Sequence, residues 1–201
     1  MKSITVYCAS STSLEKEYHA AAEDVGKGIA DRGLTLVYGG GRIGLMGEIS
    51  STAAANGAEV VGVITQKFVA HEQANESCDE LIVVDTMQQR RSIMMDRGDA
   101  FLVLPGGIGT YEEFFEVLVG RQIEDHTKPI GLVNVNGYFD PLKAMIERGI
   151  ERRFMRSALR NLMFFDPDPN AVLDYVTSET IEQPKPEDIL PMHESRHDSG
   201  I

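Results

Sequence analysis

The chain has 201 residues and a formal net charge of −12, from 31 acidic and 19 basic residues. Its length matches one globular domain with room for a core, and 42% hydrophobic and 25% charged residues are ordinary for a soluble protein. The negative charge argues against binding nucleic acid or an anionic membrane. No apolar run approaches the ~20 residues of a membrane span, and two cysteines are too few for a disulfide framework. We therefore expect a reduced, cytoplasmic protein that binds neither nucleic acid nor membrane.

Apolar, β-branched runs alternate with helical patterns along most of the chain. The predicted strands comprise residues 3–9, 34–38, 58–64, 80–85, 100–105, 129–135 and, more weakly, 162–166. The predicted helices comprise residues 13–31, 44–56, 87–97, 111–124, 139–153 and 169–177. Strands that are apolar throughout and separated by helices predict an α/β fold with a parallel sheet covered on both faces. We expect residues 1–177 to form a single domain of this kind, with six to seven strands.

From about Ser178 the composition changes to a polar, proline-bearing sequence with little periodicity. Such a composition cannot bury enough apolar surface to offset the entropy lost on ordering. We therefore predict that residues 178–201 form a mobile tail outside the domain.

Two of the predicted strand ends lead into glycine-rich loops, where ligands of open α/β sheets bind. The first loop carries Gly39, Gly41 and Gly44 in the G-x-G-x-x-G spacing of dinucleotide sites. A dinucleotide site also needs an acid at the end of the next strand, and the only acid there, Glu59, lies at the opposite end. The loop therefore predicts an anion site, to which Arg42 would add charge, or else a tight turn that packs a helix against the sheet.

The second loop, "PGGIGTYEE", spans residues 105–113 and places three glycines before a predicted helix. Free backbone amides at a helix N-terminus bind phosphate, which favours a phosphate cradle at Gly106, Gly107, Gly109 and Thr110. Thr110 and Glu113 also have the spacing of a capping box, in which the glutamate would serve only the backbone of the threonine. The residues alone leave both interpretations of Glu113 open.

A second capping-box pattern, Thr86 to Gln89, follows the fourth predicted strand and places Arg90 one turn into its helix. If the fourth and fifth strands were neighbours, Arg90 and Glu113 would lie in the first turns of adjacent helices. A cation, a carboxylate and a glycine loop around one cleft would suit a phosphorylated sugar. The alternative for Arg90 is a surface pair with Asp96 or Asp99.

These segments resemble the LOG ("lonely guy") family of cytokinin riboside 5'-monophosphate phosphoribohydrolases, often labelled lysine decarboxylases. The family pattern PGGxGTxxE corresponds to residues 105–113, and its Met-x-x-Arg-Lys segment corresponds to "MQQRR" at 87–91. Further matches are "VYGGGRIGLMGE" (37–48), "VVGVI" (60–64) and "KPIGLVNVNGYFDPL" (128–142). The resemblance implies a Rossmann-like, doubly wound fold, homodimers, and release of a free base and ribose 5-phosphate from a nucleoside monophosphate, without a cofactor or metal.

The resemblance also implies roles for individual residues. Arg90 and Glu113 correspond to the catalytic pair, and Glu72 to a substrate-contacting glutamate. The remaining residues expected to bind substrate or phosphate are Gly40, Gly41, Arg42, Met87, Arg91, Gly106, Gly107, Gly109, Thr110 and Glu112. The helices that carry Arg121, Gln122 and Met145 correspond to those near the family's two-fold interface.

Three positions depart from the family pattern. Gln88 replaces a histidine, Arg91 replaces a lysine, and Gly120 replaces a tryptophan. These departures affect the expected base preference and rate more than the reaction type.

Chemistry favours Glu113 as an ionised carboxylate that steadies the positive charge developing on the sugar, and we expect the nearby helix N-terminus to keep it ionised. A pyridoxal-phosphate decarboxylase would need a lysine in a phosphate-loop context, and none of the lysines has one. The remaining alternative is a nucleotide or cofactor carrier without catalysis, which would need the loops but not both Arg90 and Glu113.

Overall fold

The computed structural model of the chain describes residues 1–70 and 74–178. The strands in these ranges are β1 (Ser3–Tyr7), β2 (Thr35–Tyr38), β3 (Val60–Thr65), β4 (Glu80–Val84), β5 (Ala100–Val103), β6 (Ile130–Val133) and β7 (Phe164–Asp166). The α-helices are α1 (Lys16–Asp31), α2 (Gly44–Ala55), α3 (Gln66–Ala70), α4 (Met87–Arg97), α5 (Ile108–Gln122), α6 (Asp140–Glu151) and α7 (Pro169–Thr177). Short 3-10 helices span Val135–Gly137 and Ser157–Leu162.

The strands form one parallel sheet in the order β4-β3-β2-β1-β5-β6-β7. Residues of β1, β3, β5 and β6 are buried along their whole length, because helices cover both faces of the sheet. The predicted doubly wound α/β fold is therefore confirmed.

Two apolar layers separate the helices from the sheet. One layer joins α1, α2 and α7 to the sheet through buried residues such as Val25, Ile49 and Leu173. The other joins α4, α5 and α6 to the opposite face through residues such as Met94, Phe114 and Ile146. Burial of each such side chain contributes about 1.5–3 kcal/mol, so these layers fix where the helices begin relative to the strand ends.

The predicted strand ends differ from the observed ones by a few residues, and three local differences are larger. The segment after β3 forms the short helix α3, which the sequence pattern did not indicate. Helix α5 begins at Ile108, three residues before the predicted start at 111. The region before β7 is a 3-10 helix, so this strand begins at Phe164 instead of residue 162.

Two predictions concern residues outside the described ranges. Glu72, the expected substrate contact, belongs to residues 71–73, and the tail predicted from 178 consists, apart from Ser178, of residues 179–201.

Candidate active site

A cavity of about 350 Å³ lies at the carboxyl ends of the central strands. Strands β2 to β4 are added on one side of β1, and strands β5 to β7 on its other side. The boundary between β1 and β5 is therefore a topological switch point, where open α/β sheets bind ligands. The lining residues follow β1, β2, β3 and β5 and the start of α4: Cys8, Ala9, Ser10, Gly39, Gly41, Ile43, Met46, Ile64, Phe68, Met87, Arg90, Gly107, Ile108, Gly109, Thr110, Glu112 and Glu113. The sheet therefore brings both glycine loops and both candidate catalytic residues to one cavity.

Helix α5, which follows the glycine loop after β5, begins at Ile108 and therefore earlier than it would if Thr110 were its N-cap residue. Gly107 is the N-cap residue, Thr110 is the third residue of the helix, and no side chain caps this terminus. Of the two interpretations left open, the capping box between Thr110 and Glu113 is therefore wrong, because the glycines let the chain become helical before Thr110. The Thr110 side chain packs against Gly106 instead, where a Cβ atom would lie 2.1 Å from the threonine hydroxyl.

The predicted capping box at the start of α4 is confirmed. The Gln89 amide donates to the Thr86 hydroxyl at 3.2 Å, and the Gln89 side chain accepts from the Thr86 amide at 3.1 Å. This fixes the first turn of α4 and directs Arg90 inward, where only 9% of the residue is exposed.

The route by which Arg90 reaches Glu113 differs from the prediction. β4 and β5 are not neighbours, since β3, β2 and β1 lie between them. Helix α4 follows the edge strand β4 but packs on one face of the sheet, in contact with β4, β3, β2 and β1. This path places Arg90 at the cavity. The starts of α4 and α5 meet because all the strands are parallel and all the helices therefore begin at one edge.

Arg90 and Glu113 form a buried ion pair on the floor of the cavity. Arg90 Nη1 donates to Glu113 Oε1 at 2.9 Å, and the glutamate is 7% exposed. Arg90 Nε donates to the Val63 carbonyl at 2.9 Å, and Nη2 lies 3.5 Å from the Gly39 carbonyl. The alternative of a surface pair with Asp96 or Asp99 is wrong, since the guanidinium joins β3, the first glycine loop and α5.

The charge state of Glu113 depends on two opposing effects. Burial raises the pKa of Glu113 above its ordinary value, while the charge and hydrogen bond of Arg90 lower this pKa and oppose the shift. Glu113 is the sixth residue of α5, beyond the first turn, where the helix dipole acts most strongly. Arg90, and not the helix N-terminus as expected, is therefore the group that favours the ionised carboxylate.

The first glycine loop is shaped by its contact with Arg90. A Cβ atom on Gly39 would lie 2.2 Å from Arg90 Nη2, so only glycine admits the guanidinium at this point. Gly40 has a φ of 70° and packs against Val63 and Ile64 instead of lining the cavity. Arg42 is exposed and is not one of the lining residues. Of the binding residues expected in this loop, the structure brings only Gly41 to the cavity.

Arg91 lies beside the pair of Arg90 and Glu113 but does not line the cavity. Its guanidinium pairs with Glu112 and Glu116 of α5, both at 2.9 Å. Glu112 lines the cavity as expected, and so does Met87 at the start of α4. Gly106 lies behind the lining and accepts a hydrogen bond from the Tyr138 hydroxyl at 2.6 Å.

The sequence interpretation missed an apolar wall of the cavity. This wall consists of Ile43, Met46, Ile64, Phe68 and Ile108, and Ile108 is 85% exposed at the mouth. A large apolar residue directly after a glycine loop, where a helix begins and faces solvent, is the signal that could have identified Ile43 and Ile108.

The segment after β1 also contributes. Cys8, Ala9 and Ser10 line the cavity, although the sequence interpretation assigned them no role. Burial, with a further contribution from nearby Glu113, raises the pKa of Cys8, so its thiol stays protonated. This thiol is therefore a neutral part of the cavity floor.

The structure accounts for one departure from the family pattern. A Cβ atom on Gly120 would lie 3.0 Å from the His126 ring, which occupies the space beside this glycine. The same ring packs against Phe101, and its Nε2 lies 2.9 Å from the Val117 carbonyl. Gly120 therefore leaves room for a histidine that closes the end of α5.

The expected interface residues differ in exposure. Arg121 is buried and donates to the Leu162 carbonyl at 2.8 Å, so it is not available for contacts with another copy. Gln122 is half-buried, and Met145 on α6 is about half exposed. Two apolar residues of α5 that the sequence interpretation did not name, Val119 and Ile123, are also about half exposed.

Within residues 1–70 and 74–178, no group of three or more histidine, cysteine or acidic residues could hold a metal ion. In the same ranges, no helix has both the length and the apolar character needed to cross a bilayer.

The arrangement can perform a specific kind of chemistry. A buried carboxylate held by an arginine can steady a positive charge that develops about one contact distance away. Backbone amides at the start of α5 can hold an anion at the other end of the same ligand. None of the lysines in the described part of the chain lines the cavity, so these residues offer no amine for a Schiff base.

The chain is similar to several known proteins. Residues 46–176 match a family model described as "Possible lysine decarboxylase". The chain is 42% identical over 178 residues to a cytokinin riboside 5'-monophosphate phosphoribohydrolase of Rhodococcoides fascians, covering 88% of this chain and 90% of the relative. It is 40% identical over 170 residues to one from Arabidopsis thaliana, covering 85% and 80%.

Solved structures share the fold at lower sequence identity. The molybdenum cofactor binding protein of Rippkaea orientalis has a TM-score of 0.66 and 18% identity, covering 88% of this chain and 96% of that one. The molybdenum cofactor carrier protein of Chlamydomonas reinhardtii has a TM-score of 0.66 and 20% identity, with the same coverage. At these identities the likeness concerns the fold alone.

Proposed function

The chain belongs to the LOG family of phosphoribohydrolases, and we propose that it hydrolyses the N-glycosidic bond of a nucleoside 5'-monophosphate. The substrates are AMP, a cytokinin riboside monophosphate, or both, and the products are the free base and ribose 5-phosphate. The names of relatives at about 40% identity support the hydrolase class. The two-cysteine composition suits a reaction in the cytoplasm.

The observation that carries the proposal is the buried pair of Arg90 and Glu113 on the floor of a cavity that two glycine loops surround. A protein that only bound a nucleotide would need the loops, but it would gain nothing from a buried carboxylate facing the sugar. Burying this carboxylate costs free energy, as its raised pKa indicates, and catalysis supplies a reason for that cost.

In the proposed reaction, the bond between the anomeric carbon and the base nitrogen breaks, and its electron pair leaves with the base. Positive charge then builds on the anomeric carbon and the ring oxygen, as in other glycosidic cleavages. Ionised Glu113 stabilises this charge and accepts a proton from the attacking water, whose oxygen bonds to the anomeric carbon. The leaving base takes up one proton from solvent, and Glu113 returns its proton to solvent, so that one water is consumed for each bond cleaved. Arg90 holds the carboxylate in place through its bond to Oε1.

The phosphate end of the substrate supplies binding energy for alignment. The backbone amides of Gly107, Ile108 and Gly109 at the start of α5 are the groups we assign to the phosphate. Binding energy from this non-reacting end can orient the sugar over Glu113. An unphosphorylated nucleoside lacks this contact and is therefore expected to be a poor substrate.

The experiment that tests the proposal is incubation of the purified protein with AMP, isopentenyladenosine monophosphate and adenosine, followed by chromatography for free base. We expect base release from at least one monophosphate and little from adenosine. Comparable rates on adenosine and AMP would contradict the phosphate assignment. Tight binding of both monophosphates without base release would favour a carrier over an enzyme.

A further inference from the structure

A polar cluster lies behind the first glycine loop and outside the cavity. It consists of Tyr38, Ser50, Asn75 and Cys78, which we call the Asn75 cluster. Asn75 Nδ2 donates to the Tyr38 hydroxyl at 3.0 Å and to Ser50 Oγ at 3.2 Å, and the Cys78 sulfur lies 3.3 Å from the Tyr38 hydroxyl. The amide and hydroxyl of Ser77 donate to Asn75 Oδ1 at 3.2 and 2.6 Å. Both ends of the Asn75 amide are thus fully used.

The Asn75 cluster is tied directly to the first glycine loop. The Asn75 backbone amide donates to the Gly40 carbonyl at 2.9 Å. Ala74 forms an isolated β-bridge with Gly41. The Asn75 side chain bonds to β2 and α2, the two elements that the loop connects, so it determines where these backbone contacts are made.

The loop is in turn tied to the catalytic pair. Gly39, adjacent to Gly40, offers its carbonyl to Arg90 Nη2 at 3.5 Å, and its missing side chain admits the guanidinium. The same guanidinium donates to Glu113 at 2.9 Å. A contiguous path of contacts therefore runs from Asn75 through the loop to Arg90 and the carboxylate.

We propose that Asn75 is a positioning residue of the active site, which acts through residues Gly39–Gly41 to hold Arg90 against Glu113. The inference rests on the proposed function for its catalytic consequence, while the restraint of the loop is independent of it. A neutral amide suits this task because it donates twice and accepts twice at fixed angles. Buried Tyr38 needs a polar partner, and Asn75 supplies one that also reaches the loop.

The test compares the full chain with the variants Asn75→Ala and Tyr38→Phe. Asp79→Ala is the matched control, because Asp79 lies in the same connection and accepts from the Val60 amide at 2.8 Å, but does not contact the loop. Hydrogen exchange of peptides covering residues 38–44 reports on the loop. The pH dependence of kcat/KM for base release reports on the charge state of Glu113.

We expect exchange in residues 38–44 to rise about tenfold or more in Asn75→Ala, less in Tyr38→Phe, and not at all in Asp79→Ala. Base release should fall about 10- to 100-fold in Asn75→Ala, since a small misplacement at the reacting centre has effects of this size. A loosened Arg90 opposes the effect of burial less, so the acidic limb of the kcat/KM profile should move to higher pH.

Unchanged exchange in Asn75→Ala would overturn the inference, and so would an equal rise in Asp79→Ala. A faster-exchanging loop with an unmoved acidic limb would also overturn it, because Arg90 would then not depend on the loop. If the wild-type protein releases no base, the proposed function fails, but exchange still decides whether Asn75 restrains the loop.

Discussion

Replacing Glu113 with glutamine should separate catalysis from stability. Glutamine keeps the shape of the side chain and an oxygen that can accept from Arg90 Nη1, which lies 2.9 Å from Oε1 in the native pair. It removes only the negative charge. If Glu113 merely fills the cavity floor, the change should have little effect on any measured property.

The size of the catalytic effect depends on the burial of Glu113. Two unit charges about 3.5 Å apart attract by about 1.2 kcal/mol at the dielectric constant of water, but by about 5 kcal/mol at the effective value of ~20 that suits protein sites. Glu113 is only 7% exposed, so the second figure applies as an upper bound. It corresponds to roughly 10³-fold in rate, and removal of comparable single contacts costs about 10²- to 10³-fold.

The stability effect should be small and can be favourable. Burial raises the pKa of Glu113 in spite of Arg90, so ionisation of this side chain is less favourable in the folded state than in the unfolded chain. Glutamine resembles the protonated form. The change also leaves the buried Arg90 cation without its counter-charge, which opposes this gain, although the guanidinium keeps its bond to the Val63 carbonyl. Because the two effects oppose each other, we expect the free energy of unfolding of Glu113→Gln to stay close to that of the wild type.

The assay measures base release by chromatography and unfolding by chemical denaturation on the same preparations. We expect release to fall at least 100-fold while the denaturation midpoint stays close to the wild-type value. Release near the wild-type rate would refute the catalytic role of the carboxylate. A loss of activity together with a large drop in the midpoint would instead mean that the pair is structural.

Three further outcomes are expected. The proposed mechanism needs ionised Glu113, and burial raises the pKa of this side chain, so the acidic limb of the kcat/KM profile should lie above the pH at which an exposed glutamate titrates. Arg90→Lys should move this limb to still higher pH and reduce the rate at least tenfold, because lysine loses the bond to the Val63 carbonyl. Burial lowers the pKa of His126, so the unfolded chain takes up a proton at this ring before the folded protein does. The free energy of unfolding should therefore be highest above the unfolded pKa near 6.5 and decline as the pH falls below it. The denaturation midpoint should be lower at pH 5.5 than at pH 7.5 in the wild type, and this difference should be smaller in His126→Gln. Light scattering should give a homodimer, and Ile123→Glu, which charges the exposed surface of α5, should shift it towards monomer; a wild-type monomer at micromolar concentration would contradict this.

The strand and helix pattern was predictable because it depends on local periodicity, whereas the position of β4 was not. The sequence around residues 80–97 shows a strand and a capped helix, and both exist as predicted. It does not show that the helix runs across one face of the sheet in contact with β4, β3, β2 and β1. That path is set by the packing of residues such as Met94 in the apolar layer that also holds α5 and α6. Arg90 and Glu113 meet all the same, since parallel strands place every helix start at one edge.

The interpretation of the second glycine loop shows a different limit. Thr110 and Glu113 have the spacing of a capping box, and the same spacing at Thr86 and Gln89 forms one. The two cases differ in what precedes the threonine. Three glycines allow the backbone to enter the helix early, so the cap position moves to Gly107 and Thr110 is left inside the first turn.

The burial of Glu113 explains why its pair with Arg90 should be interpreted as functional. Burial raises the pKa of this carboxyl, so its anion is less favourable in the folded state than in the unfolded chain. The protein also aligns the three arms of a buried guanidinium on β3, the first glycine loop and α5 in order to keep this one charge. Burying a charge in this way is costly for stability, and under the proposed function it is useful because a fixed carboxylate stabilises a cation that develops in the cavity. If the proposed function holds, stability and catalysis make opposite demands at position 113, and the glutamate there is the residue that catalysis favours.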